Sequence, residues 1–242
     1  MNVYSKTDIG LMRSSNQDYC KTGELPDGCI WAVVCDGMGG ANGGSTASRI
    51  AAETIAEQLK ELYNIEKYHD DMEKLIKTAI AIANQRVYDM SLKVYSLSGM
   101  GTTVVAAVVK EEVVHIVHAG DSRAYLYENG SLTQITKDHS MVQELVDIGQ
   151  ITPEEARNHP NKNIITRALG TRENLKTDYN GVKFDKDSVL LICTDGLSNY
   201  LTDEDIAEFI NKSRGDELVS RLVEQAKIMG GSDNITVAVI ES

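Results

Sequence analysis

The chain has 242 residues, 42% apolar and 25% charged, and its net charge is −12. This length suffices for a well-buried core, and we expect a single domain spanning residues 1–242. The negative charge argues against nucleic acid and anionic membrane as partners. We find no apolar run of transmembrane length and no signal-peptide pattern, and the four cysteines show no paired spacing, so we expect reduced thiols and a cytoplasmic location.

Strand and helix patterns come in blocks, without the regular strand–helix alternation of a parallel sheet. They favour an α+β protein with mostly antiparallel sheets covered by helices. Turn residues at 111–112 and 128–130 support hairpins between neighbouring strands. In chain order, the patterns predict a strand at 30–36, helices at about 43–62 and 69–95, strands at 102–109, 113–120, 123–130 and 188–196, two helices within about 203–229, and a last strand in 233–241.

Five aspartates stand at the ends of strand patterns or beside turn formers. Any one of them is weak evidence for a site, because aspartate is common in tight turns. Two carboxylates about 4 Å apart repel by ~4 kcal/mol at an effective dielectric of ~20, so a convergent set needs a cation. Oxygen ligands without histidine or cysteine in the motifs indicate Mg²⁺ or Mn²⁺ rather than zinc. The five are Asp18, Asp36, Asp121, Asp195 and Asp233.

These aspartates belong to seven short motifs spread over the chain. The motifs are SNQD (15–18), DGMGG (36–40), MGTT (100–103), GDSRAY (120–125), DHS (138–140), TDGL (194–197) and SDNITV (232–237). In this order they resemble bacterial type-2C, metal-dependent serine/threonine protein phosphatases. The resemblance implies a four-layer αββα sandwich of two antiparallel sheets flanked by helix pairs. It also implies a flap subdomain at about 139–170 that lies beside the active site and contacts protein substrates.

The resemblance further implies a site with two bridged metal ions. Asp36 matches the ligand shared by both ions, and the Gly37 carbonyl matches a ligand of one of them. Asp195 and Asp233 match the residues that complete the coordination of the other ion. Asp18 matches a residue that orients metal-bound waters without binding the metal directly.

Two more residues have roles in the family, and each has a simpler alternative. Arg13 matches the arginine that binds the substrate phosphate, for which its planar fork is suited; the alternative is a solvated loop arginine. Asp121, together with Asp195, matches a weaker third metal site. The alternative is a turn residue that pairs with Arg123 or caps nearby backbone N–H groups.

One departure from the family concerns the general acid. Bacterial relatives frequently carry histidine at the position of Ala41, and eukaryotic ones place a histidine at the position of Met38. With neither present, a metal-bound water or the solvent is left to protonate the leaving group. His139 is the one histidine inside a family motif, and we expect it to organise its loop.

The resemblance therefore implies a Mn²⁺- or Mg²⁺-dependent phosphatase that hydrolyses phosphoserine and phosphothreonine by a metal-activated hydroxide. Expected partners are phosphorylated proteins, including a bacterial Hanks-type kinase that it opposes, and we expect a monomer that does not insert into membranes. One alternative, a catalytically dead homologue that binds phosphoproteins, is disfavoured by the intact Asp36, Asp195 and Asp233. Another, a nucleotide-binding protein using residues 37–44, lacks the Lys-Ser/Thr of a P-loop.

Overall fold

A computed structural model describes the backbone of residues 1–242 and every side chain except those of Ala41 and Asn42. The strands are β1 (Asn2–Asp8), β2 (Asp18–Glu24), β3 (Ile30–Met38), β4 (Gly101–Thr102), β5 (Val104–Lys110), β6 (Val113–Ala119), β7 (Arg123–Glu128), β8 (Ser131–Gln134), β9 (Asp178–Lys183), β10 (Val189–Cys193) and β11 (Ile235–Glu241). The helices are α1 (Gly40–Tyr63), α2 (Glu66–His69), α3 (Met72–Lys93), α4 (Met141–Asp147), α5 (Pro153–Arg157), α6 (Asp195–Ser198), α7 (Asp203–Lys212) and α8 (Gly215–Ile228).

The strands form two antiparallel sheets. One has the order β1-β11-β10-β7-β8, so the last strand of the chain lies between the first strand and β10. The other has the order β2-β3-β5-β6-β9, with the short β4 paired to the end of β3. In the second sheet, β2 and β3 are aligned so that Asp18 lies directly opposite Asp36.

Side-chain alternation along β3 shows how the layers are built. Trp31, Val33 and Cys35 pack against α1 and α3, whereas Ala32 and Val34 face the other sheet. Because successive residues of a strand point to opposite faces, a strand buried on both sides reads as a continuous apolar run. A matching cluster on the far side packs α7 and α8 against β10 and β11. The predicted four-layer sandwich of two antiparallel sheets flanked by helix pairs is confirmed.

Several element boundaries differ from the sequence prediction. The strands β1, β2, β8 and β9 were not predicted, because many of their side chains are polar and only partly buried; pairing with neighbours holds them in place. The helix expected over 69–95 begins only at Met72, where the Asp71 carboxylate accepts a hydrogen bond from the backbone N–H of Lys74. The strand expected to reach residue 196 ends at Cys193, and Asp195 is the first residue of α6.

The segment 139–170 lies between β8 and β9 and contains α4 and α5. A capping box starts α5: the Thr152 hydroxyl accepts from the backbone N–H of Glu155, whose carboxylate accepts from the N–H of Thr152. This segment lines one side of a groove whose other residues include Asp121 and Asp195. It therefore borders Asp121 and Asp195, two of the predicted site residues.

Candidate active site

The predicted site residues meet in one cleft at an end of the sandwich. Asp36 lies near the end of β3, Asp121 lies between β6 and β7, Asp195 follows β10, and Asp233 precedes β11. Antiparallel pairing brings these positions to the same end of the two sheets. The cleft has a volume of about 490 Å³, and its lining includes Arg13, Asp36, Gly37, Asp121, Asp195 and Asp233. Asp18 is buried next to it, opposite Asp36 on the neighbouring strand.

Gly37 is required by the close approach of β3 to the start of α1. A Cβ atom on Gly37 would lie 2.1 Å from the Gly44 carbonyl oxygen and 2.6 Å from that of Gln17. Gly39, which caps α1, has φ of 117°, a left-handed conformation that other residues rarely adopt. The glycine run thus lets α1 begin two residues after the end of β3 and keeps the backbone next to the cleft.

Hydroxyl groups fix the backbone of Asp36. The Asp36 N–H donates to Thr103 Oγ1 at 2.9 Å, and its carbonyl accepts from the Thr103 N–H and the Thr102 hydroxyl, both at 2.8 Å. Thr103 Oγ1 also lies 2.7 Å from Ser122 Oγ, next to Asp121 in the chain. Sequence reasoning assigned no role to Thr103 or Ser122. Their position inside the motifs MGTT and GDSRAY was the only available signal.

Two buried carboxylate oxygens in the cluster have no hydrogen-bond partner among the residues whose side chains are described. Asp18 Oδ2 accepts from the Thr194 hydroxyl at 2.8 Å, and Asp195 Oδ2 accepts from the Asn199 amide at 3.0 Å. The other oxygen of each carboxylate, Oδ1, is buried without a partner in the structure. Buried polar atoms are rarely left unpaired, because losing hydration without compensation costs about 1–3 kcal/mol or more for a charged group. These atoms are therefore available to a ligand.

The electrostatics of the cleft favour a cation. Burial raises the pKa of Asp36 well above its usual value, and the charges of Asp18 and Asp195 raise it further. Burial also raises the pKa of Asp18 to about 7. It raises that of Asp121 to about 8, with a further contribution from the charge of Asp195. A divalent cation placed among these groups would offset both the lost hydration and the mutual repulsion.

Arg13 supplies positive charge at the rim of the cleft. Its Nη2 donates to Asp233 Oδ2 at 2.7 Å, and this hydrogen bond raises the pKa of the guanidinium. About half of the Arg13 side chain, 52%, is exposed to solvent. A metal ion at Asp233 would compete with Arg13 for the same oxygen atom.

The donor set fits a hard divalent cation, with one adjustment. The donors are carboxylate and carbonyl oxygens, the type that Mg²⁺ and Mn²⁺ prefer. Among the described side chains, no three His, Cys, Asp or Glu residues are grouped closely enough to hold an ion as they stand. An ion shared by Asp36, Asp195 and Asp233 therefore requires a rearrangement. Asp233 is the group positioned to supply it, by exchanging Arg13 for the ion.

The general acid is still unassigned. Ala41, which stands where bacterial relatives frequently have histidine, lies outside the residues whose side chains are described. Met38 lines the cleft, and none of the described cleft residues is a histidine. His139 accepts a hydrogen bond from the Gly120 N–H through Nδ1 and contacts Asp178 through Nε2, so it connects its loop to β9.

Comparison with known proteins agrees with this geometry. The family profile described as protein phosphatase 2C matches residues 12–227. The serine/threonine phosphatase stp of Listeria welshimeri is 36% identical over 242 residues, covering 100% of this chain and 96% of its own. Serine/threonine phosphatase Stp1 from Staphylococcus aureus has a similar structure, with a TM-score of 0.91 and 34% identity over 99% of this chain and 95% of that one.

A further structure contains metal. The catalytic domain of the serine/threonine protein phosphatase PstP, in complex with two manganese ions, has a TM-score of 0.86 and 34% identity, covering 98% of this chain and 96% of that one. The chain thus belongs to the protein phosphatase 2C family and is a metal-dependent serine/threonine protein phosphatase.

Proposed function

We propose that this phosphatase holds two divalent ions, Mn²⁺ or Mg²⁺, with Asp36 as the shared ligand. The Gly37 carbonyl is a further ligand of one ion, and Asp195 and Asp233 are further ligands of the other. The observation that carries the proposal is one cleft that gathers these groups and leaves a buried oxygen of Asp195 unpaired. When bound, the two ions supply a hydroxide nucleophile at neutral pH and neutralise charge on the phosphoryl group.

The residues around the ions position the reactants. Thr102 and Thr103 hold the Asp36 backbone, so its carboxylate is presented to the cleft in a fixed orientation. Asp18 is held at one oxygen by Thr194, and its other, unpaired oxygen would accept a hydrogen bond from a metal-bound water.

Arg13 binds the phosphate of the substrate. A cation bound at Asp233 would displace the guanidinium from that carboxylate, and the parallel N–H groups of Arg13 match two phosphate oxygens. Its position at the rim of the cleft and its exposure to solvent support this role. Since no described cleft residue is a histidine, protonation of the leaving alkoxide is left to water.

A third, weaker ion is held by Asp121 with Asp195. The unpaired Oδ1 of Asp195 and the electrostatic coupling of the two carboxylates support this site over a purely structural role for Asp121. The alternative pairing with Arg123 has less support, because that guanidinium is bonded to Asp138. We expect Asp121→Ala to lower turnover while binding of the first two ions, measured by calorimetry, and the melting temperature change little. A loss of stability with full activity at saturating metal would show a turn residue instead.

We further propose that the chain acts as a cytoplasmic, monomeric, single-domain enzyme over residues 1–242, with 139–170 as its substrate-contacting flap. Its substrates are phosphorylated proteins, among them a Hanks-type serine/threonine kinase that it opposes. The four cysteines are free, which supports a reducing compartment. None of the helices in the described part of the chain meets the length and hydropathy needed to cross a bilayer.

The direct test measures phosphate release from p-nitrophenyl phosphate and from a phosphothreonine peptide. We expect release from both with Mn²⁺ and none with EDTA, with restoration when Mn²⁺ is added back. Release that persists in EDTA, or that is absent at every Mn²⁺ and Mg²⁺ concentration, would overturn the proposal.

A further inference from the structure

Large apolar side chains are exposed on two chain segments that pack on each other, and one of these segments leads directly to Arg13. They are Leu11 and Met12 in the loop after β1, and Ile228 and Met229 at the end of α8; we name these four residues the apolar shelf. Their exposed fractions are 60% for Leu11, 76% for Met12, 77% for Ile228 and 48% for Met229. Single exposed apolar residues are ordinary, whereas a group of large ones commonly marks an interaction site.

Backbone contacts join the two loops into one surface. The Leu11 N–H donates to the Gly231 carbonyl at 2.7 Å, and a Cβ on Gly231 would lie 3.0 Å from Leu11 Cγ. A Cβ on Gly10 would lie only 2.1 Å from the Asp233 carbonyl oxygen. The loop that carries Leu11 and Met12 therefore packs directly on the loop that carries Met229 and leads to Asp233.

The shelf begins where the cleft ends. Met12 precedes Arg13, and Arg13 contacts Asp233 inside the cleft. A phosphorylated residue bound at Arg13 carries peptide on both sides, and an extended peptide advances about 3.3–3.6 Å per residue. The first two residues on one side of the phosphorylated residue thus come within reach of Met12 and Leu11.

The charge of the protein affects which residues next to the phosphorylated residue the shelf favours. The protein has a net charge of −12, so acidic residues that flank the phosphate gain no long-range attraction to this surface and are repelled by the protein as a whole. The only described cation near the shelf on α8, Lys227, is paired with Asp8 and Glu224. Apolar side chains gain by covering the shelf and lose nothing to repulsion.

We infer that the apolar shelf binds apolar side chains that flank the phosphorylated serine or threonine of a protein substrate, and so sets sequence preference. The inference rests on the proposed phosphate-binding role of Arg13. Partial burial of one or two leucine-sized side chains gives an expected preference of about 5- to 20-fold in kcat/KM.

The test uses two phosphothreonine peptides of equal length and charge. One has leucine at the two positions on each side of the phosphothreonine, and the other has glutamine there. The wild-type enzyme with Mn²⁺ should prefer the leucine peptide about 5- to 20-fold. The double variant Leu11→Gln/Met12→Gln should reduce that preference below about two-fold, through a loss on the leucine peptide alone.

Two further variants separate recognition from disturbance of Arg13. Ile228→Gln removes a shelf side chain that is not adjacent to Arg13 in the chain, and it should weaken the same preference. Ile65→Gln is the matched control, since Ile65 is 43% exposed just beyond the C-terminal end of α1. The N-terminus of α1 is at the cleft, so its 24 residues place Ile65 about 36 Å away, and the preference should be unchanged.

The outcomes are distinct. Equal kcat/KM for both peptides in the wild-type enzyme would overturn the inference and leave the phosphatase function intact. No Mn²⁺-dependent release from either peptide would instead overturn the proposed function. A wild-type dimer in sedimentation that the double variant converts to a monomer, without any peptide preference, would show that the shelf is a subunit interface and also overturn the inference.

Discussion

Two aspartates that face the same groove, Asp138 and Asp195, have opposite surroundings. Arg123 Nε donates to both oxygens of Asp138 at 3.0 Å, its Nη2 donates at 2.7 Å, and the Gln134 amide donates at 3.0 Å. Among the described side chains, Asp195 accepts a hydrogen bond from Asn199, and its second oxygen is buried without a partner. The Asp138 carboxylate is therefore paired with a guanidinium that stays charged at any physiological pH. The Asp195 carboxylate is surrounded by further carboxylates.

The difference separates the charges that hold the fold from those available to a ligand. Breaking a buried, fully bonded ion pair leaves an uncompensated charge and is strongly destabilising. Removing one charge from a cluster of like charges relieves repulsion. Stability and activity should therefore respond in opposite ways when an aspartate is replaced in each region.

The largest effect is expected for Asp36→Asn. Turnover of p-nitrophenyl phosphate with Mn²⁺ should fall by roughly 1,000-fold or more, because metal ions supply several kcal/mol of transition-state stabilisation. The urea midpoint in EDTA should stay equal or rise, since the amide removes repulsion with Asp18 and Asp195. Activity within a few-fold of wild type, or a large loss of stability, would show that Asp36 is not a metal ligand.

Asp138→Ala should show the reverse pattern. Asp138 is 10% exposed and Arg123 is 23% exposed, so the free energy of unfolding should fall by about 3–5 kcal/mol when the guanidinium loses its partner. Asp147→Ala is the matched control, because its ion pair with Lys137 lies at the surface, and it should change stability little. Equal urea midpoints for the two variants would contradict the contrast between the regions.

Arg13→Ala tests a cation that both pairs with Asp233 in the fold and belongs to the proposed site. KM for a phosphopeptide should rise roughly 10- to 150-fold, the loss of a charge-assisted hydrogen bond worth about 1.5–3 kcal/mol. Mn²⁺ affinity, measured by calorimetry, should be equal or stronger, since Arg13 no longer competes for Asp233. Arg13→Lys keeps the charge without the planar fork and should be intermediate. Weaker Mn²⁺ binding would mean that Arg13 organises the metal ligands.

The sequence predicted the residues of the site better than their arrangement. Aspartates that stand at strand ends beside glycine can be recognised from the sequence alone, and the motifs placed them in a known order. The Arg13–Asp233 ion pair joins residues 220 positions apart, and no local pattern encodes such a contact. The hydroxyl contact between Thr103 and Ser122 likewise depends on the register of β5 and β6, which places Val104 opposite Ala119.

The fold was predictable where a strand is buried on both faces. The central strands β3, β5 and β10 consist of apolar runs, and the sequence located them. Strand β2 has charged and small residues along most of its length, and it is extended because β3 offers a row of backbone partners. A pattern that reads only side chains misses such a strand.

The smallest expected effect concerns a buried histidine pair at the base of the 139–170 segment. The rings of His118 and His139 stack with centroids 4.7 Å apart. His118 Nε2 donates to the Lys137 carbonyl at 2.9 Å, and its Nδ1 is buried without a partner. Burial lowers the pKa of both histidines; Arg167 adds to the lowering, and Asp178 partly opposes it.

Because both histidines are neutral in the fold, acid should weaken the protein. Below about pH 6.5 the unfolded chain takes up protons that the folded pair does not, so their contribution is full above that pH and is lost as pH falls through the lowered folded pKa values. His118→Gln should therefore show a smaller fall in urea midpoint between pH 7.5 and 5.5 than wild type. His69→Gln is the control of opposite sign, since hydrogen bonding to Asp70 raises the pKa of His69 and its contribution is lost as pH rises. An unchanged pH dependence in His118→Gln would mean that folding does not lower the pKa of His118.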